Sequence, residues 1–339
     1  MSTEISSQIK EKASLILAEI KKAKSILLHC HPMPDPDSTG SALAMKFALE
    51  QMGKKVTLIQ GDSDIPKGFL HFPGVLTITQ KKFSEIDHSE FELFVSIDSG
   101  SLNMISQEKP PTLPLPIRTI VIDHHSTNQN YGDLNLVDTS SPAAAFIMFQ
   151  LFKLWNITIT HDIAINLFMG IYTDTGGFRY SPTDYRVIEA AAELARIAPD
   201  YIETIFTMEN SQSKEALYFQ ALALSSIETF LGENIAIASI SHNDLITKKI
   251  PEECIRGISI SNILKSVVGW NVGASLIERN PGEVKVSLRT RDKDIFDVSK
   301  LASSLGGGGH RAAAAAVLKM SLVDAKKLVV AKAKELYNL

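Results

Sequence analysis

Four short apolar runs in the first half of the chain, separated by helical stretches, constrain its fold more than any other feature. The runs span residues 25–31, 56–60, 93–97 and 118–122, and helices are expected at 38–52, 142–155 and 162–172. Near-continuous apolar strands that alternate with helices are typical of a parallel sheet covered on both faces. The sequence therefore predicts an α/β fold whose N-terminal half contains a parallel sheet.

The pattern changes after a polar, helix-prone stretch at 199–215. A helix near 214–229 is followed by strands at 234–240, 271–278 and 283–290, a helix at 295–305, a glycine run, an alanine-rich strand and a closing helix. A chain of 339 residues is long enough for two domains. We expect an N-terminal domain of residues 1–190, a helical linker of 191–213 and a smaller α/β domain of 214–339.

Composition limits the partners and the compartment. The net charge of −4 argues against a protein that coats long duplex nucleic acid. Residues 1–24 predict a charged amphipathic helix rather than a signal peptide, and no apolar run reaches the roughly 18 residues of a membrane span. The two cysteines, Cys30 and Cys254, exclude a disulfide framework and a thiolate metal site. We expect a cytoplasmic protein with no membrane partner.

The segment His31-Pro-Met-Pro-Asp35-Pro-Asp37 leaves the first strand and carries the strongest local signal. Its prolines favour an extended loop, in which Asp35 and Asp37 point to the same side. Close carboxylates repel unless cations neutralise them, so the motif indicates a metal site. The alternative is a solvated turn with capping aspartates. The helix that follows is expected to begin with Ser38 as its N-cap.

Further acidic and histidine side chains fall where strands end, which is the edge at which ligands gather on parallel sheets. Asp98 ends the third strand, Asp123-His124-His125 ends the fourth, and Asp174 lies in a glycine-rich segment. Asp98 or Asp174 alone would predict only a cap or a turn. Together with His31, Asp35 and Asp37 they form a carboxylate and imidazole set. Such a set suits two divalent cations, Mn²⁺ first, with Mg²⁺, Co²⁺ or Fe²⁺ as alternatives.

At these residues the chain resembles the DHH phosphoesterase family, named for the triplet that stands here at Asp123-His124-His125. The resemblance covers nearly the whole chain, because Gly306-Gly-Gly-Gly-His310 is similar to the glycine loop of the DHH-associated domain. Size and motifs are most similar to the bacterial nanoRNase group, the oligoribonucleases that also act as pAp phosphatases.

The resemblance implies a role for each member of the cluster. His31 and Asp35 would bind one metal, Asp37, His124 and Asp174 the other, and Asp98 would bridge the two. His125 would act near the scissile phosphate as a charge stabiliser or proton donor. Asp123 would orient a histidine from behind. His29, on the same strand face as His31, is expected to be a packed histidine near the site.

In the C-terminal half, consecutive glycines let a backbone approach a ligand closely and expose N–H groups to an anion. Strand alternation places Arg289 and Arg291 on one face. The resemblance implies that these arginines bind the substrate together with Gly307, Gly308, Gly309 and His310. The alternative for the glycine run is a flexible connector. Ala315 stands where the family usually has glycine, which leaves the loop geometry and the preferred substrate length open. In the N-terminal half, Asp98-Ser-Gly-Ser differs from the Asp-Thr-Ala common in the group, but no ligand is lost.

The resemblance implies a homodimeric enzyme with its active site in a cleft between the domains. Its substrates would be short oligoribonucleotides of roughly two to five nucleotides or the 3′-phosphate of pAp. A cyclic-di-AMP or pApA phosphodiesterase is the alternative. A RecJ-like exonuclease would need an added domain, and a family II pyrophosphatase would lack the glycine loop. A catalytically silent nucleotide-binding regulator would be marked by a missing ligand, and none is missing.

Overall fold

The computed structural model of the protein describes residues 5–339, with residues 256 and 257 described by their backbone only. The chain divides into two compact units: the first ends at Ser211, and the second runs from Gln212 to Leu339. Among the described residues, every helix is too short or too polar to cross a membrane.

The first unit is built on a five-stranded sheet. Its strands are β1 (Ser25–His29), β2 (Lys55–Ile59), β3 (Leu93–Ile97), β4 (Thr119–Asp123) and β5 (Leu134–Val137). They pair in the order β2-β1-β3-β4-β5, and every pairing is parallel. The α/β class and the parallel N-terminal sheet are therefore confirmed. The sequence analysis missed β5, because four residues carry too short a pattern to be separated from a loop.

Helices cover this sheet. They are α1 (Ser7–Lys22), α2 (Pro36–Gln51), α3 (Ala144–Leu154), α4 (His161–Asp174), α5 (Tyr185–Ile197) and α6 (Tyr201–Glu209). The amphipathic helix expected at the N-terminus is α1, which buries Ile9, Ala13, Ile16 and Ile20 at helical spacing. Residues 1–4 of that prediction lie outside the described part of the chain.

The start of α2 corrects the sequence analysis. Asp35, not Ser38, is the N-cap, and its Oδ1 accepts the Ser38 backbone N–H at 2.8 Å. Pro36 occupies the first turn, where its missing N–H costs nothing. The expectation of an extended loop through Asp37 is therefore wrong, because the helix begins at Pro36, between the two aspartates.

Residues 191–213, expected to form a linker, pack largely within the first unit. Leu194 is buried near the end of α5, and Tyr201, Ile205 and Met208 of α6 pack against the same hydrophobic core. Their spacing of four and three residues places them on one helix face. This stretch, expected to be helical, contains α6, and that helix packs against the core of the first unit instead of standing apart as a linker.

The second unit contains a mixed sheet and a longer series of short helices. Its strands are β6 (Glu228–Phe230), β7 (Ile235–Ile240), β8 (Val272–Asn280), β9 (Glu283–Thr290), β10 (Gly308–His310) and β11 (Ala313–Leu318). Its helices are α7 (Lys214–Ser225), α8 (His242–Thr247), α9 (Glu252–Gly257), α10 (Ile260–Lys265), α11 (Val298–Ser304) and α12 (Leu322–Tyr337). The strand order is β10-β11-β9-β8-β7-β6, with only β7 and β8 parallel. The sequence analysis missed β6, β10 and the three helices between β7 and β8.

The two faces of this mixed sheet differ. Val284, Val286 and Leu288 of β9 are fully buried in a core that also contains residues of α11 and α12. On the opposite face a second core forms between α7–α10 and strands β7 and β8. The β9 residues on that face, including Ser287 and Arg289, are only partly buried. This part of the sheet is available to a ligand.

Candidate metal centre

The strand order of the first unit determines where a site can form. The chain runs from β1 to β2 in one direction along the sheet, and from β2 past β1 to β3 in the other direction. Parallel sheets bind ligands at the carboxyl edge beside such a reversal, which here lies between β1 and β3. His31 follows β1, Asp98 follows β3, and Asp123 ends β4. The topology therefore brings three separate sequence motifs to one place.

His31, Asp35 and Asp98 form the first cluster that could hold a metal ion. His31 Nε2 lies 3.4 Å from Asp35 Oδ2 and 3.7 Å from Asp98 Oδ2. The Nδ1 atom of the same ring lies 2.9 Å from the Pro32 carbonyl oxygen, to which it donates. That hydrogen bond selects the tautomer whose Nε2 lone pair faces the two carboxylates.

Asp37, His124 and Asp174 form the second cluster. His124 Nε2 lies 3.3 Å from Asp174 Oδ2 and 3.9 Å from Asp37 Oδ2. Asp98 is shared between the clusters, since its Oδ1 lies 3.3 Å from His124 Nε2 while its Oδ2 faces His31. The six residues proposed from sequence as metal ligands are therefore brought together, in two groups joined by Asp98.

Asp98 is unusual in its backbone as well as its side chain. It adopts the left-handed region with φ of 55°, which few non-glycine residues do without a compensating environment. Its Oδ1 and the Nε2 of His124 are buried, and neither has a hydrogen-bond partner in the described structure. Buried polar atoms without partners are costly, and a cation between these two would satisfy both. The donor set thus fits a divalent metal.

The pKa values of the clustered carboxyl groups also favour a bound cation. Burial raises the pKa of Asp98 well above its usual range, and the charges of Asp37, Asp35 and Asp174 raise it further. Burial together with the charges of Asp37 and Asp35 raises the pKa of Asp174 to about 9. Burial and Asp35 also raise the pKa of Asp37 to about 7. Bound cations would reverse this repulsion and favour the ionised carboxylates.

Asp37 also organises the helix packing around the site. The N-cap residue of helix α3 is Ala143, whose side chain cannot accept a hydrogen bond. Asp37 takes over this role: its two oxygens accept the N–H groups of Ala144 (2.7 Å) and Ala145 (2.8 Å). Helix α4 approaches closely at Gly170, where an added Cβ would lie 2.7 Å from Asp37 Oδ1. Sequence reasoning had no signal for either contact, since both join residues more than a hundred positions apart.

Asp123 orients a histidine, and that histidine is His125. Asp123 Oδ1 accepts from His125 Nδ1 at 2.8 Å, and its Oδ2 accepts from Asn128 Nδ2 at 2.5 Å. This hydrogen bond raises the pKa of His125, whose side chain is 43% exposed. The ring therefore presents its Nε2 edge away from Asp123. Asn128 was not identified from sequence, because an asparagine in a polar turn carries no distinguishing pattern.

His29 lies in a buried network behind Asp98. Its Nδ1 donates to the Cys30 carbonyl oxygen at 3.1 Å and its Nε2 accepts from Ser96 Oγ at 3.0 Å. The Tyr131 hydroxyl lies 2.7 Å from Ser96 Oγ and donates to the Ser99 carbonyl oxygen at 2.9 Å. Burial lowers the pKa of His29 to about 3, so the ring is neutral. These contacts fasten the residues on either side of Asp98.

The arginines proposed to bind substrate have different surroundings. Arg289 is partly buried, and its Nη1 donates to the Leu288 carbonyl oxygen at 3.0 Å. Arg291 donates from Nη1 to the carbonyl oxygens of Ser266 (3.3 Å) and Val267 (2.8 Å), just after helix α10. Arg291 therefore stabilises a chain turn, whereas the hydrogen bond of Arg289 joins it to the carbonyl group of the adjacent residue.

The glycine run forms an edge strand rather than a flexible connector. Gly308, Gly309 and His310 pair with residues 315, 314 and 313 of β11. A Cβ at Gly307 would lie 2.1 Å from the Ala315 carbonyl oxygen, so only glycine permits this approach. Ala315 itself lies within β11, between Ser287 and Gly308, where an extended backbone accommodates alanine. His310 is exposed at the end of the strand.

Residues 25–171 match the DHH family, N-terminal domain, and residues 243–338 match the DHHA1 domain. The chain therefore belongs to the DHH phosphoesterase family and is a phosphoester hydrolase. This family depends on divalent metal ions, in agreement with the donor set described above.

Individual proteins within this family are similar to the chain over most of its length. The chain is 31% identical over 316 residues to the bifunctional oligoribonuclease and PAP phosphatase NrnA of Thermus thermophilus, covering 91% of this chain and 89% of that protein. It is 26% identical over 312 residues to the probable NrnA of Streptococcus mutans, covering 89% and 92%. Among solved structures, an exopolyphosphatase-related protein from Bacteroides fragilis shares the fold, with a TM-score of 0.85 at 22% identity over 97% and 98% of the two chains.

Proposed function

We propose that this protein hydrolyses oligoribonucleotides of roughly two to five nucleotides to mononucleotides and removes the 3′-phosphate of pAp, using two divalent cations, preferably Mn²⁺. The observation that carries the proposal is the position of Asp98. Its two oxygens face the histidines of two separate carboxylate–histidine clusters. The substrate class is taken from the relatives named NrnA.

The proposed metal ligands divide into two sets, one for each cation. His31, Asp35 and Asp98 would hold one cation, and Asp37, His124, Asp174 and Asp98 the other. When bound, such a pair supplies the Lewis acidity that activates a water and offsets charge on a phosphoryl group. The preference for Mn²⁺ rests on the mixture of carboxylate and imidazole donors without thiolate, and both cysteines are buried outside these clusters.

His125 would act on the phosphate rather than on the metals. Asp123 accepts from Nδ1 and so holds the ring in one orientation, with Nε2 free to donate to a phosphoryl oxygen when protonated. Asn128 holds the other oxygen of Asp123. In the second unit, Arg289 and His310 would bind the end of the nucleotide that is not being cut, supported by the resemblance and by their common register on the sheet.

The experiment compares substrates and metals in one assay. The purified full chain is treated with a chelator, and Mn²⁺, Mg²⁺ or Co²⁺ is then restored. Each form is assayed on pApA, the 5′-phosphorylated adenylate trimer pApApA, pAp, cyclic-di-AMP and a long RNA. We expect AMP from the first three substrates, the highest rate with Mn²⁺, and little turnover of cyclic-di-AMP or of a long RNA.

Two results would overturn the proposal. Preferential hydrolysis of cyclic-di-AMP would assign the protein to the cyclic dinucleotide phosphodiesterases. Nucleotide binding without turnover of any substrate, under every metal, would indicate a silent regulator.

A further inference from the structure

A second positive charge lies beside Arg289. Helix α10 packs directly on strand β8 at Gly273, where an added Cβ would lie 2.5 Å from the Ser261 carbonyl oxygen and 2.9 Å from the Lys265 backbone nitrogen. Gly273 is the cross-strand partner of Arg289 in the β8–β9 pair. The absence of a side chain at residue 273 therefore lets the end of α10 sit immediately next to the arginine.

The two cations have no acidic partner. No carboxylate in the described part of the chain pairs with Lys265 or with Arg289, and both side chains are partly buried. Burial lowers the pKa of the Lys265 ammonium, and the positive charge of Arg289 lowers it further. Two like charges removed from water and placed together are unfavourable unless an anion joins them.

An ordinary structural role does not account for Lys265. A lysine in the last turn of a helix commonly interacts with the final carbonyl groups. Here the carbonyl oxygens of Ser266 and Val267, immediately after α10, already accept from Arg291. Lys265 is left beside Arg289, on a sheet face whose neighbouring residues are small.

The register of the sheet defines the rest of this surface. Arg289 pairs with Ala313, and Ala313 pairs with His310, so Gly273, Arg289, Ala313 and His310 form one row across four strands. The next row contains Ser275, Ser287, Ala315 and Gly308. Small side chains around two basic groups leave room for a tetrahedral anion to reach both of them.

We propose that Lys265 and Arg289 together bind one phosphate monoester group of the nucleotide substrate, and that Lys265 makes the enzyme prefer substrates with a terminal phosphate. This inference rests on the proposed function and extends it from Arg289 to a residue of another element. An ammonium and a guanidinium on one phosphate form charge-assisted hydrogen bonds, which are stronger than neutral ones.

The first test measures binding without catalysis. The full chain is titrated calorimetrically with 5′-AMP and with adenosine in the presence of EDTA. We expect Lys265→Ala to weaken 5′-AMP binding about tenfold and to leave adenosine binding unchanged, and Lys265→Arg to restore most of the loss. Lys327→Ala, which removes an exposed lysine of α12, is the matched control and should bind like the wild type. Lys265→Gln replaces the alanine variant if the latter does not fold.

A double-mutant cycle tests whether the two cations act on one group. If they share a phosphate, the loss in Lys265→Ala combined with Arg289→Ala will be smaller than the product of the single losses. Independent effects, equal losses for 5′-AMP and adenosine, or wild-type binding by Lys265→Ala would each overturn the inference.

Kinetics separate this inference from the proposed function. The ratio of kcat/KM for pApA to that for ApA should fall about tenfold in Lys265→Ala. If the wild type hydrolyses no nucleotide but the 5′-AMP result holds, the proposed function fails and the phosphate site stands. If hydrolysis proceeds and the ratio is unchanged, the phosphate site alone fails.

Discussion

Each unit of this protein brings charges of a single sign together, negative in the first unit and positive in the second. The structural settings of the two clusters differ. In the first unit, buried carboxylates meet at the carboxyl edge of a parallel sheet, supplied by loops and helix starts. In the second unit, two partly buried cations, one on helix α10 and one on strand β9, lie over the antiparallel β8–β9 pair of a mixed sheet. Each arrangement is unfavourable alone, and under our proposals each would be relieved by a ligand of the other sign: divalent cations in the first unit and a phosphate in the second.

The packing of the two regions differs in the same way. Around the carboxylates, Asp37 caps helix α3 and lies where helix α4 approaches most closely, so this carboxylate is part of the packed core. Around the cations, the glycine strand is exposed, and no atom of the described residues lies within 4 Å of a Cβ added at Gly308. The comparison indicates that the first site is built for fixed geometry and the second for access.

The largest effect is expected from Asp98→Asn, which keeps the shape of the side chain but removes the charge shared by the two clusters. The rate of Mn²⁺-dependent pApA hydrolysis should fall at least about 10³-fold. The rise in melting temperature that Mn²⁺ produces in the wild type should also shrink, which reports on metal binding independently of turnover. Asp162→Asn, at an exposed aspartate of α4, is the control. Full activity in Asp98→Asn would remove the two-cluster assignment.

A smaller effect of a different kind is expected from Arg289→Ala and His310→Ala in the second unit. The KM for pApA should rise about 10- to 100-fold in Arg289→Ala and less in His310→Ala, with kcat changed far less, because on our proposal these residues would bind the substrate away from the cut bond. The KM for bis-p-nitrophenyl phosphate, which has no second nucleotide, should rise less. Equal increases in KM for both substrates would contradict an anchoring role for these residues. The second unit would then not be distinguished from the first as the one that binds the far end of the substrate.

The smallest effect tests the packing difference with a pair of glycine substitutions and urea denaturation. Glycine to alanine within a helix normally stabilises a protein, but Gly170→Ala should lower the free energy of unfolding by about 1–3 kcal/mol, because its Cβ would meet Asp37 and Ala145 at 2.7 Å. Gly308→Ala should change it by no more than about 0.5 kcal/mol. A stabilised Gly170→Ala would show that helix α4 can move away from Asp37 and that the core around the carboxylates is not rigid.

Much of the candidate site could be predicted because its members stand at recognisable places in the chain. His31, Asp98 and Asp123 each follow an apolar run, and a parallel sheet necessarily collects such positions at one edge. The contacts of His29 and Asn128 were harder to predict from the sequence. Whether a histidine is packed or functional depends on neighbours such as Ser96 and Tyr131, which the sequence places far away.

The predictions that proved wrong concern loops and short elements. Asp35 rather than Ser38 caps α2, because the chain turns into the helix at Pro36 and the acceptor nearest the free N–H groups is the earlier residue. The glycine run became a strand because β11 offers it a pairing edge, which no local propensity for glycine predicts.

The sequence by itself determined the α/β class, the family and the chemical types that meet at the metal centre, since alternation, strand-end residues and spacing are local properties of the chain. The tertiary structure decided which atoms face each other. It divided the ligands into two clusters around Asp98, made Asp37 the cap of a distant helix, and placed Lys265 beside Arg289 across Gly273. These pairings depend on strand order and on the close approach of helices, and both are set by packing between residues remote in sequence.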